Sequence, residues 1–155
     1  MNDQNIHWTL KRFDQLKPAE VYEILKLRQE VFILEQNCIY KDVDGLDQTS
    51  LHLSGRINDE LALYLRLVPP GSKFEEPSMG RIVVKQEYRG NRLGQKLVKR
   101  GLATTQNRYP KQTIRIEAQL YLESFYKRLG FETVSGEYDL DGIPHIQMII
   151  NLPLH

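Results

Sequence analysis

The sequence predicts a mixed α/β (α+β) fold with a largely antiparallel sheet, and three observations carry that expectation. The chain has 155 residues, 41% hydrophobic and 26% charged, which suits one continuous core. Its apolar periodicity switches between two and 3.6, in the order strand, helix, three strands, helix, strand, helix, two strands. Neither an internal repeat nor a low-complexity linker interrupts that order, so residues 1–155 are expected to form a single domain.

The elements follow from local signals. Ile6, Trp8 and Leu10 alternate with polar residues, as in a half-buried strand. Pro18 stands at a first helical position with Glu20 in the first turn. Val21, Ile24, Leu25, Arg28 and Phe32 follow at helical spacing, so the expected helix covers about 18–35. Residues 37–47, rich in Asp, Asn and Gly, read as a loop. Strands are expected over 51–57 and 61–68, on either side of an Asn58-Asp59 turn. Pro69-Pro70-Gly71 ends that pairing, and residues 79–84 form a short apolar strand. Residues 87–94 are a glycine-punctuated turn opening a helix, with Leu93, Leu97, Val98 and Leu102 on its apolar stripe and Pro110 at its close. A strand over 113–118 leads to a helix marked by Leu122, Phe125 and Leu129 and capped by Gly130. Two last strands, 131–134 and 143–150, lie around an Asp141-Gly142 turn.

Composition removes several classes of function. With 21 basic and 20 acidic residues the net charge is +1, which offers no basic face for nucleic acid. The densest basic stretch, 89–100, is short and suits a small phosphorylated ligand. Cys38 is the single cysteine and cannot form an intramolecular disulfide, which points to a reducing, cytoplasmic setting. No stretch approaches the roughly 20 apolar residues of a membrane helix.

The most informative stretch is the strand-to-helix turn. Ile82, Val83 and Val84 run into Arg89-Gly90-Asn91-Arg92-Leu93-Gly94-Gln95, and a helix begins at once. The first N–H groups of a helix lack internal partners and carry partial positive charge, so they attract anions. Glycine there permits positive φ and close approach of a ligand to the backbone. The spacing matches neither a G-x-G-x-x-G dinucleotide turn nor a phosphate loop ending in Gly-Lys-Ser/Thr. A diphosphate ligand of another kind remains, beside the plainer reading of a helix entry whose glycines only satisfy turn geometry.

Arg89-Gly90-Asn91-Arg92-Leu93-Gly94 resembles the acyl-CoA pyrophosphate loop, Q/R-x-x-G-x-G/A, of the GNAT superfamily of N-acetyltransferases. The order of elements is similar over nearly the whole chain. Separated pieces resemble its ElaA-like branch: Leu27 to Phe32 with Glu35-Gln36, Asp42-Val43-Asp44-Gly45, His52-Leu53, Arg66-Leu67 with Pro69-Pro70-Gly71, and Asp141 to Ile146. One departure matters. Arg92 replaces the inner glycine, without penalty at helical angles but at roughly 1 kcal/mol or more if that position needs positive φ.

The resemblance implies a twisted sheet splayed at its centre with acetyl-CoA, as co-substrate, in the split. Ile82 to Val84 would bind the pantetheine arm, and a free N–H at Val83 or Val84 would face the thioester oxygen. Phe125-Tyr126-Lys127-Arg128-Leu129-Gly130-Phe131 resembles the family segment whose tyrosine donates to the CoA sulfur, which nominates Tyr126 as acid. The alternative is that Tyr126 only packs its ring. By spacing, Phe125 fits the apolar stripe and Tyr126 falls beside it. Gln119 and Leu122 stand where the family usually has Asn and Ala.

Three residues compete for the role of base. Glu117 lies near the end of its strand, where family members often place a carboxylate. His145 and His52 are histidines that titrate near physiological pH. Each has a structural alternative, Glu117 paired with Arg115 or Lys127, and His145 hydrogen-bonded in a sheet. Asp42, Asp44 and Asp47 with Glu30 and Glu35 form either an acceptor pocket for a cationic amine or a solvated surface. Their spacing lacks the twelve-residue pattern and terminal Glu of a calcium loop, so no metal is expected. Cys38 has no arrangement around it that argues for a nucleophile.

The expected reaction is therefore direct acetyl transfer to an amine acceptor, a small molecule or a peptide. The rival is a CoA-binding sensor or interaction module without turnover. Domains of this size often pair as a homodimer, though no apolar face stands out for it.

Overall fold

Turn residues break the N-terminal half into an antiparallel meander. In the computed structural model, which describes residues 5–153, β1 (His7–Arg12), β2 (Leu51–Ile57), β3 (Glu60–Val68) and β4 (Ser78–Val84) pair in that order. Asn58 and Asp59 turn β2 into β3 with φ of 50° and 64°, the left-handed pair that matches the twist of a hairpin. A second sheet combines β5 (Thr113–Gln119), β6 (Glu132–Thr133), β7 (Tyr138–Leu140) and β8 (Ile143–Asn151). β8 pairs antiparallel with each of the other three.

The two sheets meet where β4 and β5 begin. There the Arg115 N–H donates to the Pro77 carbonyl at 3.0 Å. Beyond that junction the strands diverge, and a cavity of about 1040 Å³ opens between residues 79–84 and 116–119. The GNAT arrangement expected from the sequence, a mixed and mostly antiparallel sheet split at its centre and flanked by helices, is present.

Helices cover both faces of the first sheet. α1 (Pro18–Arg28) has proline at its start, and the Glu20 carboxylate accepts from the Lys17 N–H at 3.0 Å. Its Ile24 and Leu27 pack on Leu61, Tyr64 and Val83. α2 (Leu93–Arg108) lays Leu97, Val98 and Leu102 into the main core on the opposite face. A Cβ on Gly101 would lie 2.8 Å from both Leu65 Cδ2 and Met79 Sδ, so glycine is what lets helix and sheet approach this closely. Covered from both sides, β3 is buried from Leu61 to Val68, which is why it reads as an apolar run broken only by Arg66. α3 (Glu123–Arg128) follows a short 3-10 turn and ends at Gly130 with φ of 104°.

Two expectations needed correction. The helix expected over 18–35 is α-helical only to Arg28 and continues as a π-helix over Gln29–Glu35. The wider turn places Val31, Phe32, Glu35 and Gln36 on the cavity wall. The last hairpin joins β7 and β8 around Asp141-Gly142 rather than starting from residues 131–134. Three residues are too few for β7 to show a period. Among the described residues no helix is long and apolar enough to cross a membrane.

Candidate active site

β4 forms one wall of the cleft and is irregular. Tyr64 pairs with Val83 but Arg66 with Gly80, so Arg81 and Ile82 together oppose Leu65 in a bulge. Arg81 carries the bulge at φ 52°, a left-handed conformation uncommon for a side-chain-bearing residue. Beyond it the Lys85 N–H donates to the Ala62 carbonyl at 2.8 Å. Backbone groups alternate in direction along an antiparallel strand, so Val83 faces β3 and Val84 faces the cleft. The Arg89 Nε donates to the Val84 carbonyl at 3.0 Å, in keeping with that direction. Of the two candidate amides, Val83 is engaged by β3, and the Val84 N–H is turned to the cavity.

A buried charge network holds the bulge. Arg28 and Arg66 are 0% and 1% exposed, so their charges depend on protein partners. Arg28 Nε donates to Asp42 Oδ2 at 2.9 Å and its Nη1 to Asp47 Oδ1 at 2.7 Å. Arg66 Nη1 reaches Asp47 at 2.9 Å, and its Nη2 reaches Asp44 Oδ2 at 2.7 Å. Arg81 Nε lies 2.8 Å from Asp42 Oδ1, and its Nη2 donates to the Asp42 carbonyl at 2.9 Å. Burial pushes the Asp44 carboxyl up, but hydrogen bonds and charge from Arg66, with Arg81 adding to them, hold it well below the usual carboxylate range. Asp47 is lowered against the same burial by Arg28 and Arg66.

Asp42 and Asp47 are therefore neither an acceptor pocket nor solvated surface. They are committed to arginines, and only Asp44 and Glu35 of that acidic group line the cleft. Glu30 lies 3.9 Å from Lys26 on the helix surface. His52 is buried, with Nδ1 2.8 Å from the Tyr64 hydroxyl and Nε2 2.9 Å from the Asp47 carbonyl. Both ring nitrogens are engaged away from the cleft, which removes His52 as a base. Arg81 and its partners were not legible in the sequence as a unit, because those residues lie up to 39 positions apart.

At the far end the cleft reaches the entry of α2. Gly90 has φ of 99°, and a Cβ built on it would meet nothing within 4 Å, leaving room beside the backbone. Arg92 is left-handed, with φ 56° and ψ 26°, so the case in which the lost glycine carries a penalty is the one realised. No side chain caps the helix and no acidic residue sits in its first turn. Its first amides, Leu93, Gly94 and Gln95, are left facing the cleft among basic side chains. Arg89, Gly90 and Arg92 line this end, whereas Asn91 is exposed and lies outside the lining. Arg89 Nη1 also pairs with Glu35 Oε2 at 2.9 Å, tying the turn to the π-helical wall.

The chemical groups stand on the opposite wall. Tyr126 is 5% exposed, more deeply buried than Phe125, which reverses the packing expected from spacing. Its ring meets Phe125 and Phe131 edge-on at 5.1 and 5.7 Å, and it also lines the cleft. Burial pushes its phenol up, so it keeps its proton at neutral pH. Glu117 accepts from the Tyr138 hydroxyl at 2.7 Å through Oε2 and pairs with Lys73 at 2.9 Å through Oε1. Neither expected partner, Arg115 or Lys127, holds it: Arg115 bonds Glu76, and Lys127 lies near Glu123. His145 is buried against Tyr138, with ring centroids 6.4 Å apart, and its Nδ1 lies 2.7 Å from the Ile143 carbonyl. The Cys38 Sγ donates to the Asp141 carbonyl at 3.2 Å. Among the described residues no group of His, Cys, Asp and Glu is arranged to hold a metal.

A family model for the acetyltransferase (GNAT) domain matches residues 15–152. The UPF0039 protein of Synechocystis is 42% identical over 149 residues, 96% of this chain and 97% of that one. Escherichia coli ElaA is 38% identical over 145 residues, 92% of this chain and 95% of that one. Its crystal structure superposes with a TM-score of 0.88, covering 94% of this chain and 99% of that one at 36% identity. An acyl-CoA N-acyltransferase from Pseudomonas aeruginosa superposes with a TM-score of 0.90 at the same identity and coverage.

Proposed function

The chain belongs to the GNAT acetyltransferase family, and on that premise we propose that it transfers the acetyl group of acetyl-CoA to a primary amine by direct attack in a ternary complex. The observation that carries this reading is the shape and polarity of the cleft. It begins between two diverging strands and ends at an uncapped helix N-terminus surrounded by arginines. An extended ligand with a diphosphate at one end and a thioester at the other matches that gradient. The similarity to an acyl-CoA N-acyltransferase supports an acyl-CoA in particular.

Within this reading Arg89, Gly90, Arg92 and the first amides of α2 hold the diphosphate. Asn91 flanks that turn from solvent, and Ile82 and Val84 border the pantetheine arm. The Val84 N–H donates to the thioester oxygen as negative charge develops there. Tyr126 donates to the departing sulfur, a role that its protonated phenol suits. The acceptor end, beside Lys73, Glu117 and His145, takes an amine of a small molecule or a peptide.

Calorimetric and thermal-shift titration with acetyl-CoA tests the reading, with ATP and NAD as controls. Selective stabilisation by acetyl-CoA is expected, because a ligand of the native state raises its stability. Equal response to all three, or none at millimolar acetyl-CoA, overturns it. Tyr126→Phe should lower turnover about a hundredfold while CoA affinity stays intact. Full CoA binding with no turnover of any amine in a broad panel would instead indicate a binding module.

A further inference from the structure

We propose that His145, through Nε2, is the base that takes the proton from the attacking amine, and that Glu117 positions it through Tyr138 rather than acting as the base. This rests on the acyl-transfer reading above.

A carbonyl oxygen can only accept, so the Nδ1 of His145, 2.7 Å from the Ile143 carbonyl, carries the hydrogen. In the neutral ring that leaves the lone pair on Nε2. No described residue bonds Nε2, and His145 lines the cleft, so the lone pair is available where an amine would arrive. The backbone sets this tautomer: Ile143 lies two residues before His145 on the same strand.

Glu117 is placed differently. Tyr138 occupies one of its oxygens and Lys73 the other, at 2.7 and 2.9 Å. Burial raises its carboxyl, but these two partners outweigh that and hold it below the usual range. A carboxylate so engaged is a weak acceptor of a further proton. It bears on His145 instead through Tyr138. Tyr138 joins the two, giving its hydroxyl hydrogen to Glu117 while its ring stacks on the imidazole with 29° between planes. Other titratable groups lining the cleft include Lys73 from the β3–β4 loop, Cys38, Tyr40, Lys41, Tyr121, and Asp141 from the β7–β8 turn.

In the step so assigned, the amine nitrogen bonds to the acyl carbon and its proton passes to His145 Nε2. The carbon–sulfur bond breaks, and the sulfur takes the Tyr126 proton. Solvent then accepts the His145 proton and restores that of Tyr126, so charge and protons balance.

Two measurements test this. Long-range imidazole ¹⁵N–¹H spectra of the wild-type protein should show His145 in the Nδ1–H tautomer with an unprotonated Nε2. The Nε2–H tautomer would overturn the proposal whether or not any amine is turned over. The second is a pH profile of kcat/KM, read as free thiol released from acetyl-CoA with benzylamine and spermidine as probe acceptors. His145→Gln should lower kcat by roughly 10²–10⁴-fold with the KM for acetyl-CoA unchanged, and should abolish the rising acid limb. Glu117→Gln should keep that limb and lose activity less steeply. A limb that survives in His145→Gln and vanishes in Glu117→Gln assigns the base to Glu117. Failure to bind acetyl-CoA at all would count against the reading of function, while the tautomer would still decide the fate of His145.

Discussion

Two arginines, Arg81 in β4 and Arg92 at the entry of α2, both hold left-handed backbone conformations on the walls of one cleft, yet their surroundings differ. Arg81 is tied through its side chain to Asp42 and Asp44, and those carboxylates are tied to the buried Arg28 and Arg66. Arg92 is exposed, and its helix end has no side-chain cap. The strain in β4 is offset inside the folded protein, so the direction of the Val84 N–H is set before any ligand arrives. Among the described residues no ion pair of Arg92 gives the strain at α2 a comparable compensation, and an anion seated on the first amides is what would offset it. One end of the cleft is clamped by ion pairs, and the other ends in a helix without a side-chain cap.

The largest expected effect comes from breaking the clamp. Asp47→Ala leaves two arginines, both essentially unexposed, short of a partner and should cost about 3–5 kcal/mol in denaturant unfolding. A loss under about 1 kcal/mol would mean that water replaces the carboxylate and that the clamp is weak.

Acid tests the same network without mutation. Asp44 and Asp47 are lowered in the folded state, so the unfolded chain binds their protons first. Their contribution is full above the unfolded value of about 4 and is lost as pH falls from there through the folded values, by up to about 1.4 kcal/mol per pH unit for each carboxylate. Urea midpoints between pH 6 and 2 should fall steeply below about pH 4, and a flat profile would contradict the ion pairs.

A smaller effect sharpens the comparison. At both arginines the glycine variant should be more stable than the alanine variant by roughly 1 kcal/mol, because only glycine adopts left-handed angles freely. Ordinary strand positions behave oppositely. The smallest change expected is Arg92→Gly against wild type, within about 1 kcal/mol, since relief of strain is countered by a more flexible unfolded chain. Arg81→Gly should instead be clearly destabilised through its lost ion pairs. Equal behaviour of the two glycine variants would erase the distinction between a clamped and an unclamped turn.

Much of the fold was legible in the sequence. The hairpin turn at Asn58-Asp59, the apolar stripe Leu97, Val98 and Leu102, and the start of α1 at Pro18 depend on neighbours within four residues. The strand–turn–helix run from Ile82 to Gln95 was legible for the same reason. The candidate site was legible as a set of residues, not as an arrangement. His145 and Glu117 stand as equal candidates in the sequence, which records neither the Ile143 carbonyl beside the one nor Tyr138 and Lys73 on the other. Lys73 carried no signal, being one more lysine in an exposed loop. Spacing also set Tyr126 beside the stripe, whereas the short α3 turns it inward between Phe125 and Phe131.

By itself, then, the sequence determined the order of elements, their apolar faces and the glycine-bearing turn, because each is encoded by residues close together in the chain. Tertiary structure alone decided the bulge at Arg81, the π-helical wall over Gln29–Glu35, the burial of the arginine–aspartate network and the direction of the Val84 N–H. The arginine–aspartate contacts join residues 14 to 39 apart, and no local period records which distant carboxylate will meet which arginine once the core has closed.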